Sequence, residues 1–113
     1  MTTDYVKFRK NLSSNNAKLG KALPSEMKGF MNLHNAALED GALDPKTKEL
    51  IALGISIGIK CEPCIVSHTQ TLINRGVTRK EIEETVGVAL FMGGGPATAY
   101  GGKALEVFEQ LSE

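Results

Sequence analysis

The chain carries two cysteines, Cys61 and Cys64, separated by Glu62 and Pro63 and followed four residues later by His68. On a helix, positions three apart sit on neighbouring turns with Cα atoms about 5 Å apart, within the range a disulfide accepts. Such a pair can open and close without moving the fold. Placed in the first turns of a helix, the thiols meet unsatisfied amides of partial positive charge, which favour thiolate. His68 falls on the same helical face as Cys64 and can exchange a proton with it. A disulfide across two residues removes little entropy from the unfolded chain, so this pair serves chemistry rather than stapling.

Glu49 is the second informative residue. If the helix that contains it doubles back onto the helix of the cysteines, Glu49 lies about 14 Å before the turn and His68 about 11 Å after it. The two should face each other across the hairpin, with Cys64 roughly 6 Å nearer the turn than His68. The order Glu49, His68, Cys64 then forms a proton relay with the histidine in the middle and Glu49 as general base. The plainer alternative is a solvated glutamate paired with Lys46 or Lys48. A zinc site is a further alternative, drawing on Cys61, Cys64, His68 and either His34 or Glu49. His34 itself sits on an apolar helical face and reads as a core or interface histidine.

The rest of the chain must position these groups. Its 113 residues, 42% apolar and 23% charged, describe one ordinary globular domain spanning 1–113. With no Trp and 5% aromatics, its core must be aliphatic, which favours partner subunits as extra cover. Thirteen basic and thirteen acidic residues cancel, leaving no electrostatic footprint for nucleic acid or an anionic membrane. The first ten residues, MTTDYVKFRK, are polar where a secretory signal would be apolar, so a cytoplasmic location is expected. Leu50–Ile59 is about half the length needed to span a bilayer and reads as a buried core segment.

Periodicity and punctuation predict about six helices and no strand, an all-α fold. Residues 1–22 suit one or two amphipathic turns broken near Ser13–Asn16. A helix of about four turns starts at Leu23-Pro24-Ser25 and stops by Gly41. Asp44-Pro45 opens the next, running to about Gly58. A helix from Cys61 or Glu62 to Arg75 follows, capped by Gly76. Thr78 and Glu81 form a capping box for a helix to Met92. Gly93-Gly94-Gly95-Pro96 breaks the chain with close backbone packing, and a last helix runs from Ala97 to Leu111. Within it, Gly101-Gly102 marks close contact with another helix. The methionines read as core fillers.

With these residues in view, the chain resembles the carboxymuconolactone decarboxylase-like superfamily, in its alkylhydroperoxidase D-like branch, over roughly residues 25–111. The resemblance is carried by Gly41-Ala42-Leu43-Asp44-x-Lys46-Thr47-Lys48-Glu49-Leu50-Ile51, by Cys61-x-x-Cys64-Ile65-x-x-His68, and by Met92-Gly93-Gly94-Gly95-Pro96. It implies a helical protomer that assembles as a homotrimer or homohexamer with its site near a subunit interface. It also implies a thiol peroxidase or disulfide reductase role; the first expectation is an enzyme that reduces hydroperoxides, needs no bound cofactor or metal and is recycled by an external dithiol protein. In the mechanism it suggests, Cys64 is the nucleophile, Cys61 resolves the resulting sulfenic acid to a disulfide, and Glu49 and His68 move the proton. The peroxidase members carry a further histidine just before the second cysteine, where this chain has Pro63. That departure makes a general protein disulfide oxidoreductase the alternative, beside a zinc-binding or redox-sensing module without turnover. The decarboxylase branch lacks the cysteine pair, so decarboxylation is not expected.

Overall fold

A computed structural model describes residues 2–113, and among them six helices and no strand are found. They are α1 (Tyr5–Ala22), α2 (Pro24–Ala37), α3 (Pro45–Gly58), α4 (Glu62–Asn74), α5 (Arg79–Gly93) and α6 (Pro96–Leu111). Three of the four prolines stand at the start of a helix and the fourth lies in the first turn of α4, where the missing amide hydrogen costs nothing. Asp44 caps α3 by accepting from the Thr47 amide at 2.7 Å, and Thr78 and Glu81 form the reciprocal box that opens α5.

The last four helices form the body of the molecule. α3 packs on α4 and α5, and α6 closes the ring against the same two. Leu53, Ile57, Ile65, Leu72, Ile82, Ala104 and Val107 are fully buried between them. This is the aliphatic core expected of a chain without tryptophan. Gly101 allows α6 to approach α5, since a Cβ there would lie 2.9 Å from Cγ1 of Val86. Gly102 meets nothing and is not part of that contact. At the break, a Cβ on Gly93 would come within 2.8 Å of Ala97 Cβ, and Gly94 adopts a φ of 72° that only glycine tolerates well.

Sequence and structure part at several points. α1 is one continuous helix through Ser13–Asn16, not two broken turns. Those four residues are weak helix formers but contain no Gly or Pro, so nothing forces a break, and packing of α1 on α4 and α6 carries the helix across them. α2 forms as expected yet buries no residue, because it touches only α1. Phe30, Met31 and Leu33 on α2 are exposed, and so is Met92 on α5, so Met31 and Met92 are not core fillers. The run Leu50–Ile59 is buried on one face only: Leu53 and Ile57 enter the core, while Ile51, Ile55 and Ile59, four residues apart, line an open groove. That groove, about 610 Å³, lies between α3 and α5 and is completed by Val88, Ala89 and Met92. With α1 and α2 set to one side, the radius of gyration is 14.3 Å, above the about 13 Å of a compact chain this long.

Candidate functional site

The turn between α3 and α4 fixes where the cysteines begin. Ile59 ends α3, Lys60 takes the left-handed conformation with φ 60°, and the chain bonds back twice: Lys60 N–H to the Ile57 carbonyl and Cys61 N–H to the Ser56 carbonyl. This is the six-to-one and five-to-two closure of a Schellman turn, with lysine where glycine is usual. The helix ends at Gly58, where the sequence places its end, and the left-handed residue stands two positions later at Lys60.

Cys61 is the N-cap of α4 and its sulfur accepts the Cys64 amide at 3.2 Å. Both sulfurs therefore stand at the positive end of the helix. They are joined in a disulfide, with Cα atoms 5.2 Å apart, and both cysteines are partly exposed. Pro63 occupies the first turn and is exposed. One turn on from Cys64, His68 points back to α3, where its Nδ1 lies 2.6 Å from Oε2 of Glu49.

Glu49 is 4% exposed, a carboxylate inside the helical body whose hydrogen-bonding partner is this imidazole. An ionised carboxylate offers only lone pairs, so Nδ1–H donates and Nε2 is left free to take up or release a proton. The two lysines that could have claimed Glu49 are engaged elsewhere: Lys46 pairs with Glu81 at 2.8 Å, and Lys48 donates to the Glu39 carbonyl at 2.5 Å. The hairpin thus pairs Glu49 with His68, as their spacing predicts, with His68 one turn beyond Cys64 on α4.

His34 is not part of it. It lies on α2, which reaches only α1, and its Nδ1 meets Asn35 at 3.2 Å. It is half-buried rather than a core histidine. Among the described residues, no group of three or more His, Cys, Asp or Glu side chains is disposed to hold a metal ion.

Sequence reasoning did not single out the residues around Glu62. This glutamate, between the two cysteines, accepts a hydrogen bond from the Tyr5 hydroxyl at 2.5 Å and from Lys103 Nζ at 3.1 Å. The Tyr5 hydrogen bond, followed by Lys103, holds the Glu62 carboxyl below the usual carboxylate range against an opposing effect of burial. Burial, reinforced by Glu62, pushes the Tyr5 phenol above its usual range. In the sequence Tyr5 and Lys103 lie far from Glu62, and no periodicity links them.

Comparison with known proteins fits this arrangement. Residues 24–109 match the model of the carboxymuconolactone decarboxylase family. A carboxymuconolactone decarboxylase family protein from Legionella pneumophila, solved in its apo form, is similar with a TM-score of 0.95 at 44% identity, covering 99% of this chain and 100% of that one. A family member from Thermotoga maritima, for which a part in the antioxidative response has been suggested, aligns with a TM-score of 0.72 at 35% identity, over 76% of this chain and 89% of that one. An uncharacterized protein from Cupriavidus necator is 34% identical over 112 residues, 99% of each chain. The chain belongs to the carboxymuconolactone decarboxylase family.

Proposed function

We propose that this family member is a thiol-dependent oxidoreductase of the alkylhydroperoxidase D-like kind, reducing hydroperoxides through a dithiol–disulfide cycle of Cys61 and Cys64. The observation that carries this reading is the hydrogen bond between the buried Glu49 and the partly exposed His68, which stands one turn on from Cys64 in the helix that Cys61 caps. The antioxidative role suggested for the Thermotoga relative supports it.

In this cycle the Cys64 thiol gives its proton to His68 Nε2, and Glu49 stabilises the imidazolium that results. The thiolate attacks the outer peroxide oxygen. The O–O bond breaks, the leaving alkoxide takes the proton back from His68, and an alcohol and a Cys64 sulfenic acid are formed. The Cys61 thiol then displaces the hydroxyl as water, closing the disulfide present in the structure. An external dithiol protein reopens it by thiol–disulfide exchange, and its own two thiols become a disulfide.

A second reading is favoured by Pro63, which stands where the peroxidases place an additional histidine. Without that proton donor the same cysteines and relay would serve a general protein disulfide oxidoreductase. Either activity would belong to a self-associated form, a trimer or hexamer, whose copies cover the apolar faces of α2, α3 and α5.

The deciding experiment follows hydroperoxide consumption by reduced, metal-free protein with dithiothreitol as recycling agent. Repeated turnover, abolished in Cys64→Ser, with Cys61→Ser accumulating a sulfenic acid on Cys64, is the expected result. A wild-type rate no greater than that of free thiol would overturn the peroxidase, and reduction of a protein disulfide would then favour the second reading.

A further inference from the structure

The carboxylate of Glu62 occupies an unusual place. It is flanked in sequence by the two sulfurs that must ionise, and a negative charge there opposes a developing thiolate. The fold does not leave it free. Tyr5 from α1 and Lys103 from α6 converge on the same oxygen, Oε2. Tyr5 is the one buried residue of α1 and is itself fixed by its amide, which donates to Gln110 of α6 at 2.6 Å. Gln110 Nε2 returns a hydrogen bond to the Thr3 carbonyl at 2.8 Å. α1 lies outside the span that matches the family model, yet its anchor residue ends on the turn of the cysteines.

We propose that Tyr5 and Lys103 are positioning residues that hold and neutralise Glu62, and thereby govern how readily the neighbouring dithiol forms its reactive thiolate. The inference rests on the reading of Cys61 and Cys64 as a reacting dithiol, but not on the identity of the oxidant. Lys103 supplies the compensating cation. Tyr5 supplies a neutral donor that directs the carboxylate towards α1, and so ties docking of that helix to the chemistry of the turn. Other charged groups to be held constant are Lys60, next to Cys61 in the chain, Glu106, which acts on Tyr5 from α6, and the Glu49–His68 pair. All are common to every variant compared below.

The test titrates Cys64 alone, in reduced Cys61→Ser protein, by ultraviolet thiolate absorbance and by the pH dependence of alkylation with iodoacetamide. Lys103→Met leaves Glu62 uncompensated, so the thiol titrates about half a unit to one unit higher and alkylation near neutral pH slows about 3- to 10-fold. Glu62→Gln moves both readouts the opposite way by a similar amount. Tyr5→Phe follows Lys103→Met with a smaller shift, because the ring stays docked while the hydroxyl is lost. Lys103→Arg keeps the cation and titrates like the parent, and combining Glu62→Gln with Lys103→Met cancels most of either shift. Circular dichroism and the thermal midpoint establish that each variant is folded. A lowered midpoint with an unmoved thiol titration, or shifts of the same sign in Glu62→Gln and Lys103→Met, would show a purely structural network and overturn the proposal. A protein that titrates as expected but consumes no peroxide would overturn the peroxidase and leave this inference standing.

Discussion

Glu49 shows how one side chain is given its task by what surrounds it. A carboxylate 4% exposed, hydrogen-bonded to an imidazole at 2.6 Å, is a costly arrangement unless the pair is used or fully compensated. Glu49→Gln keeps the shape but removes the negative charge that stabilises a protonated His68. Turnover in the peroxide assay should fall about 100-fold or more, the usual worth of a positioned acid–base group. Unchanged turnover would remove Glu49 from the relay. Glu62 makes a different prediction, about stability. Its folded value is depressed below the ordinary 4.5, chiefly by Tyr5, so its contribution is fully present above pH 4.5 and is lost as pH falls through the lower folded value. Tyr5 is raised above its ordinary 10.0, first by burial and then by Glu62, so the same hydrogen bond is present below pH 10.0 and weakens as pH rises through the raised value. The unfolding free energy of wild type in urea titrations should exceed that of Glu62→Gln most between about pH 5 and pH 9, by less than about 1 kcal/mol for a partly exposed pair, and converge on either side. A difference independent of pH would contradict the linkage.

At the scale of elements, the turn between α3 and α4 decides where the site forms. Two backbone hydrogen bonds close it, and one residue, Lys60, bears the left-handed conformation. An L-residue there costs roughly 1–2 kcal/mol that glycine does not incur, partly offset by the greater freedom of glycine in the unfolded chain. Lys60→Gly should therefore raise stability by about 0.5–1 kcal/mol in urea unfolding of the reduced protein, while Lys60→Val should lower it. Loss of stability in Lys60→Gly would mean that the lysine side chain makes a contribution the turn geometry does not explain. The same turn sets the register between Glu49 and His68, which pair across it at positions 11 before and 8 after Lys60. A residue inserted in the turn would therefore rotate α4 by about 100° and break the relay without unfolding either helix.

The whole molecule leaves several large apolar side chains bare and close together. Phe91 is 81% exposed and Met92 76%, beside Val88 and the isoleucine row of α3, and α2 adds Phe30 and Leu33. Patches of this kind mark surfaces that meet a partner. Self-association is the simplest way to cover all of them with one sequence, and it was also the expectation drawn from an aliphatic core with few aromatics. Light scattering coupled to size exclusion should give a multiple of the protomer mass, and Phe91→Glu should shift it towards the single protomer with the helical content retained. A wild-type chain running as a monomer would leave these faces for another occupant.

Much of this protein was legible in one dimension because its signals are local. Proline and aspartate at helix starts, a capping box at Thr78 and the gap at Gly93-Gly94-Gly95-Pro96 set the helix boundaries within a residue or two, because capping depends on near neighbours. The spacing of Glu49 and His68 about the turn predicted their meeting because a helical hairpin has few degrees of freedom once its turn is known. What local signals could not determine was which apolar faces find a partner within the chain. α2 and the outer face of α3 carry the periodicity of buried helices, and only the arrangement of the other elements leaves them uncovered. Nor could they reveal Tyr5, Glu62 and Lys103, which lie 57 and 41 residues apart along the chain and meet through the docking of α1 and α6 on the start of α4. Contacts of that kind depend on tertiary packing, and no pattern in the sequence encodes them by spacing.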